Sequence, residues 1–153
     1  MIRLITATFL LTLPALLFAV PLPVNLGVPF ELGPGQSAEV IGGDLYFVFN
    51  GILEDSRCPY GAVCVWEGDA EAEVTGDLPG EIQITRVLHT SAIFSQSCLM
   101  GSYQIYLLGV EPYPVLGGPP IDPADYLATF VIVIPGPVDV DPLPWGSVKA
   151  LYR

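Results

Sequence analysis

The chain is a succession of short apolar runs separated by glycine, proline and aspartate, and no run holds hydrophobic residues at i, i+3, i+4 and i+7 over three turns. Such runs, rich in Val, Ile, Tyr and Phe and bounded by turn formers, read as β-strands. They fall at residues 28–32, 37–41, 44–49, 63–66, 71–75, 81–88, 103–110, 126–134 and 148–152. The cleanest alternation is Ala70-Glu71-Ala72-Glu73-Val74, which predicts one face buried through Ala70, Ala72 and Val74 and one wetted through Glu71 and Glu73. In contrast, Leu45-Tyr46-Phe47-Val48-Phe49 and Phe130-Val131-Ile132-Val133-Ile134 are apolar at every position. Both are expected to be core strands, one face against an opposing sheet and the other under loops. Many short strands with turn signals between them predict an all-β fold, an antiparallel β-sandwich of immunoglobulin-like or jelly-roll-like type, with a barrel as the alternative.

Proline sharpens the boundaries. Nine of the sixteen prolines lie beyond residue 110, in Glu111-Pro112-Tyr113-Pro114, Pro119-Pro120-Ile121-Asp122-Pro123, Pro135-Gly136-Pro137 and Pro142-Leu143-Pro144. Proline has no ladder donor, so these segments are expected to be connections that stiffen loops.

The first residues have a different pattern. Met1-Ile2-Arg3 is a short positive segment, an apolar stretch from Leu4 to Phe18 follows, and Ala19 supplies the small residue that signal peptidase requires. The stretch is shorter than the roughly 20 residues of a spanning helix, and Pro14 interrupts it. Residues 1–19 are therefore expected to be a cleaved signal peptide and 20–153 a single β-sandwich domain, secreted or periplasmic, with no stable membrane insertion after cleavage. Roughly 130 residues bury enough apolar surface to fold without cross-links, on the order of two-thirds of what the unfolded chain exposes.

Charge removes one class of partner. Acids outnumber Lys plus Arg by 16 to 5 among 153 residues, the net charge is −11, and loss of Arg3 with the leader makes it more negative. The remaining cations, Arg57, Arg86, Lys149 and Arg153, are scattered, so the chain offers no basic patch for a phosphate backbone or an anionic lipid surface. No nucleic-acid partner is expected.

The densest motif is Glu54-Asp55-Ser56-Arg57-Cys58-Pro59-Tyr60-Gly61-Ala62-Val63-Cys64-Val65-Trp66-Glu67-Gly68-Asp69-Ala70. Cys58 and Cys64 flank Pro59 and Gly61, a tight turn that a disulfide closes in an oxidising compartment. Loop entropy alone favours the longer Cys58–Cys98 bridge, at about 3.9 against about 2.4 kcal/mol. Local proximity and turn chemistry favour Cys58–Cys64. Asp55 is expected to fix the turn through backbone N–H groups while the Arg57 guanidinium pairs with it, or with Glu67 or Asp69. Trp66 is expected to pack over the disulfide as a core aromatic.

The segment DSRCPYGAVCVWEGDA resembles the DSRCPxGVxCVWxGxA signature of a family of small secreted or lipid-anchored bacterial proteins. The flanks Pro29-Phe30-Glu31-Leu32, Gly35-Gln36-Ser37, Gly101-Ser102-Tyr103, Pro112-Tyr113-Pro114 and Asp125-Tyr126-Leu127-Ala128-Thr129-Phe130 are similar as well, so the resemblance covers most of the chain beyond the leader. It implies a small extracytoplasmic β-domain with Cys58 and Cys64 as the paired cysteines, and it implies no activity. The chain departs from the pattern at Ala62, where Val is usual, in the additional Cys98, and in lacking the lipid-anchor cysteine of some relatives.

Catalytic chemistry has little to work with. There is one histidine, His89, and no GxSxG elbow, HExxH pair, phosphate loop or dinucleotide fingerprint. His89 closes a predicted strand and is expected to be a surface residue. Glu67 and Asp69 are a weak glycosidase pair, since two acids two apart on a strand share one face and acids are plentiful in this chain. His89, Cys98 and Met100 are a soft-ligand set of the wrong number for a blue-copper centre. Asp122, Asp125, Asp139 and Asp141 could supply at most a loose carboxylate site for calcium. The expectation is a non-enzymatic binding or interaction module without a cofactor, whose partner is an unidentified extracytoplasmic protein or ligand and whose binding loop carries Asp55, Arg57, Pro59, Tyr60, Trp66 and Glu67. A second reading is a protease inhibitor that presents Arg57 on the disulfide-supported loop; a third is an envelope protein binding copper or calcium.

Overall fold

The computed structural model describes residues 20–136. Nine strands are β1 (Leu22–Val24), β2 (Phe30–Leu32), β3 (Ser37–Val40), β4 (Tyr46–Asp55), β5 (Ala70–Asp77), β6 (Ile84–His89), β7 (Ser97–Met100), β8 (Tyr103–Glu111) and β9 (Leu127–Val133), with one 3-10 turn, Pro123–Asp125, before β9. They form a five-stranded sheet in the order β1-β3-β4-β5-β6 and a four-stranded sheet in the order β2-β9-β8-β7. Every pairing is antiparallel except β1 with β3. The two sheets pack face to face as a β-sandwich and do not close into a barrel.

The alternation read from Ala70 to Val74 is the geometry of β5: Ala70, Ala72 and Val74 are fully buried, and Glu71 and Glu73 lie on the outer face. Between the sheets, Phe47 and Phe49 of β4 meet Phe130 of β9 with ring centroids 5.0 and 5.6 Å apart, both edge-to-face. This arrangement sets the positive ring edge of one aromatic against the negative face of the next. Phe30 adds a third contact to Phe130 at 6.1 Å.

β4 and β9 are interior strands of their sheets, as their apolar runs predict, but their outer faces are not roofed by loops. Tyr46 is exposed and Val48, Val131 and Val133 are only half-buried. Aromatic and β-branched side chains suit a half-exposed pleated surface, so an apolar run does not require two buried faces.

The proline-rich segments within the described residues are connections, and the single strand proline, Pro23, sits in β1 at a sheet edge, where a missing donor leaves no partner unpaired. Two short strands escape the pattern, β1 and β7, because Leu-Pro-Val and Ser-Cys-Leu-Met carry neither alternation nor strand formers in number. One expected strand is absent: residues 63–66 belong to the β4–β5 connection. The expected strand at 148–152 and the leader 1–19 lie outside the described residues.

Candidate functional site

The fourteen residues of the β4–β5 connection, 56–69, leave one sheet and fold against a connection of the other. Their base continues the hairpin: Ser56 N donates to Asp69 O at 2.7 Å and Cys58 N to Glu67 O at 2.8 Å. Approach is so close at this point that a Cβ on Gly68, whose φ is +77°, would stand 2.1 Å from Ser56 O and 2.6 Å from Arg57 Cα. Only glycine tolerates both the dihedral and the contact. Above the base, Cys58 and Cys64 form a disulfide with their Cα atoms 6.0 Å apart, closing a small ring around Pro59 and Gly61.

Arg57 is the root of this loop. Its Nε and Nη2 donate to the two oxygens of Asp55 at 2.8 and 2.7 Å, and its backbone N–H donates to the same carboxylate at 3.2 Å. The turn and the ion pair are as expected from the Asp55-Ser56-Arg57 spacing. The remaining donors cross to the second sheet, Nη1 to Val110 O and Nη2 to Pro112 O at 2.9 Å, and the guanidinium lies 4.7 Å from the Tyr113 ring centroid. Tyr126, which opens the segment into β9, donates its hydroxyl to Asp55 at 3.0 Å. Burial works to raise the pKa of Asp55, but the Arg57 hydrogen bonds, the Arg57 charge and the Tyr126 hydroxyl outweigh it and hold the carboxyl below its ordinary value. A planar guanidinium with five donors is what this junction requires, since one group meets a carboxylate and two carbonyls from different directions.

That position overturns the inhibitor reading. Arg57 is 6% exposed, and every polar end of it is engaged inside the protein. A residue inserted into a protease pocket must stand clear of its own fold, and Arg57 does the opposite.

What the loop presents outward is apolar. Val63 and Val65 are fully exposed, and Tyr60 is largely so. Trp66 is 48% exposed, which corrects its expected place as a core aromatic. Two features deny residues 63–66 a ladder: the 58–64 ring curls the chain away from the sheet, and Gly61 and Gly68, at φ +88° and +77°, turn it on either side. Tyr60 instead pairs with the β8–β9 connection, its N–H donating to Pro114 O at 2.7 Å and its carbonyl accepting from Leu116 N at 3.1 Å. Exposed Val115 and Leu116 extend the apolar surface from there. Below it a cleft of ≈ 230 Å³ is lined by Arg57, Glu67, Ser91, Glu111 and Tyr113, among others.

On the other flank of the loop, Asp69 is buried and pairs with His89 at the end of β6. Asp69 Oδ2 lies 2.5 Å from His89 Nδ1, while Oδ1 accepts from Ser91 N at 2.9 Å and from Thr90 Oγ1 at 3.1 Å. Burial opposes ionisation of Asp69, and the Ser91 N–H, His89 and Thr90 together reverse that, so its pKa is lowered. The histidine therefore ends its strand as expected but is not a free surface group: it is held by Asp69 and packed on Phe94 at 4.9 Å. The Ser91 hydroxyl donates to Glu67 Oε1 at 2.8 Å and not to His89, so serine, histidine and aspartate here do not form a nucleophile–base–orienter chain. Glu67 and Asp69 are likewise not two acids on one strand: both belong to the connection, Glu67 accepts from the Ser91 hydroxyl, and Asp69 accepts from the Thr90 hydroxyl and the Ser91 N–H.

The soft-ligand set does not gather. The Met100 side chain is fully buried in the core against Gly76, and His89 is committed to Asp69. Cys98 is half-buried and unpaired with either other cysteine, and burial, only partly offset by Arg86, pushes its thiol up to about 11. Asp122 caps the 3-10 turn by accepting from Ala124 N at 2.9 Å, and Asp139 and Asp141 lie outside the described residues.

No protein-family model, no curated protein and no solved structure matches this chain.

Proposed function

We propose that the protein is a non-catalytic recognition module acting outside the cytoplasm, and that the tip of the β4–β5 connection is its binding surface. The observation that carries this reading is the exposure of Tyr60, Val63, Val65 and Trp66 together on a covalently closed loop. Soluble domains seldom hold contiguous apolar side chains in water without a use for them, and aromatic residues in particular anchor interfaces. The loop is also fixed before any partner arrives. Its disulfide, the Arg57 junction and the Tyr60 pairing remove the ordering cost that a free fourteen-residue loop pays on binding.

The partner is a protein whose contact surface carries an apolar pocket bordered by Lys or Arg. The chain's charge of −11 and the acids beside the tip, Glu67 and Glu111, complement such a rim and repel anionic lipid and nucleic acid. Extracytoplasmic action is supported by the apolar leader and by a disulfide in so small a domain; the resemblance of the cysteine motif to secreted bacterial proteins supports it further.

The test is site-specific photo-crosslinking in the native host with a photoreactive residue at Val65, and a control at Thr85 on the outer face of β6. A discrete heteromeric adduct is expected from position 65 only. Excess wild-type protein should abolish it, and excess protein carrying Val63→Ser and Val65→Ser should not. An adduct that forms equally from Thr85, or only between copies of this chain, would overturn the reading.

A further inference from the structure

Antiparallel register and the end of the loop bring two carboxylates to the only histidine of the chain, with a third one strand further out. Glu54 of β4 is paired with Glu71 of β5, and Glu71 with His89 of β6, so an outward row across three neighbouring strands reads acid, acid, imidazole. Asp69 enters the same spot from the loop end. Two like charges directly opposite each other on a sheet repel, and no Lys or Arg among the described residues pairs with them. The only such residues are Arg57, spent on Asp55, Val110 and Pro112, and Arg86, which donates to Thr85 O.

One ligand-type atom from each of Asp69, Glu71 and His89 lies within 4.8 Å of the other two. The set is also oriented from behind. Asp69 Oδ1 is occupied by Ser91 N–H and the Thr90 hydroxyl, which turns Oδ2 toward His89 Nδ1, and the imidazole is held in place by Phe94. Outer donors of this kind fix metal-binding carboxylates and set their reach.

We propose that Asp69, Glu71 and His89 form a binding site for one divalent transition-metal ion of the zinc type, with water completing the coordination. Two carboxylates and one imidazole are a mixed hard and borderline donor set, which suits zinc better than calcium, which takes six to eight oxygens, or copper(I), which selects thiolate and thioether. In the free protein the Asp69 carboxylate accepts the Nδ1 proton of His89; on metal binding that proton leaves Nδ1 through solvent, and the imidazole ligates through Nδ1 with its proton on Nε2. Tetrahedral ligands with bonds of about 2.0–2.1 Å stand roughly 3.3 Å apart. The 2.5 Å separation of Nδ1 and Asp69 Oδ2 must therefore widen as the ion enters between them. The site lies at the base of the connection whose tip is apolar, and the proposal does not rest on the role given to that tip.

Isothermal titration of the full chain with Zn²⁺ tests this, together with long-range ¹H–¹⁵N NMR of the single imidazole. The expected result is one ion per chain, a large shift of the Nδ1 resonance, and affinity lowered by at least about 100-fold in His89→Gln and about 10-fold or more in Glu71→Gln. Glu73→Gln, which alters an outer-face acid bonded to Asn50, should leave binding unchanged. The NMR measurement uses the unaltered protein, so a folding defect in a variant does not decide the outcome. Absence of zinc binding, a shift at Nε2 instead of Nδ1, or equal losses in Glu73→Gln and Glu71→Gln would each overturn the proposal, the last by showing diffuse attraction to an acidic surface.

Discussion

Replacing Arg57 by methionine keeps a long flexible side chain at the junction of the two sheets and removes all of its donors. Arg57 makes four side-chain hydrogen bonds, two to Asp55 and one each to the carbonyls of Val110 and Pro112. The side chains of Arg57 and Asp55 are 5% and 8% exposed. The pair is thus buried, and its removal strands the Asp55 carboxylate with only the Tyr126 hydroxyl and the backbone N–H of residue 57 to stabilise it. Breaking a buried pair from one side costs about 3–5 kcal/mol. For a domain of this size about 4 °C of Tm accompanies each kcal/mol, so a fall of roughly 12–20 °C is expected. Chemical denaturation and calorimetry measure both quantities. The pH dependence gives an independent check. In the wild type the folded pKa of Asp55 is lowered, so its stabilisation is present above the ordinary carboxylate pKa and is lost as pH falls through the folded value. In Arg57→Met burial is left as the largest influence and acts to raise the pKa, so the stability gap between the two proteins should narrow as pH falls below about 4. A cost below about 1 kcal/mol, the range of exposed ion pairs, or a gap that does not change with pH would refute the argument.

Gly68→Ala should cost about 3 kcal/mol or more, because it combines a left-handed dihedral with a contact of 2.1 Å to Ser56 O, and its effect is read by the same denaturation curves. Opening the disulfide in Cys58→Ser/Cys64→Ser should lower stability by about 2.4 kcal/mol from loop entropy, with the larger change in protease susceptibility at Tyr60 to Val65. The Cys98 thiol, pushed up to about 11, should react with iodoacetamide at pH 8 on the order of 100-fold more slowly in the folded protein than in urea; equal rates would show that the thiol is not held in the edge of the core. Val65→Ser should leave the unfolding free energy within about 0.5 kcal/mol of wild type while removing the crosslinked partner, since the side chain is fully exposed.

The sandwich was legible because its evidence is local. The Ala70–Val74 alternation, the prolines of 111–123 and the Cys58-to-Cys64 spacing each concern neighbours in sequence, and each matches what the structure contains. Local reading failed where a local preference met a tertiary constraint. Val63 and Val65 have the β-branched side chains of a strand, but the Cys58–Cys64 ring and the turn at Gly68 leave the chain on either side of Cys64 no edge to join. Arg57 shows the same limit from the other side: its pairing with Asp55 is two residues away and readable, whereas its burial depends on carbonyls more than fifty positions downstream. The Asp69–Glu71–His89 cluster was invisible for a related reason. Its geometry is set by the register between β5 and β6, and a shift of one residue would carry His89 to the opposite face.

Because Phe30 pairs with Phe130, the four-stranded sheet joins segments a hundred positions apart, while the β3-to-β6 meander is complete once His89 has been made. A chain made from its N-terminus therefore holds every strand of the β3-to-β6 meander about forty residues before it holds Phe130. During that interval Phe47 and Phe49 have no Phe130 to pack against, and the growing protein presents to its surroundings the surface that the finished one hides most completely. The aromatic face of β4 is thus closed by the strand that comes latest among the described residues.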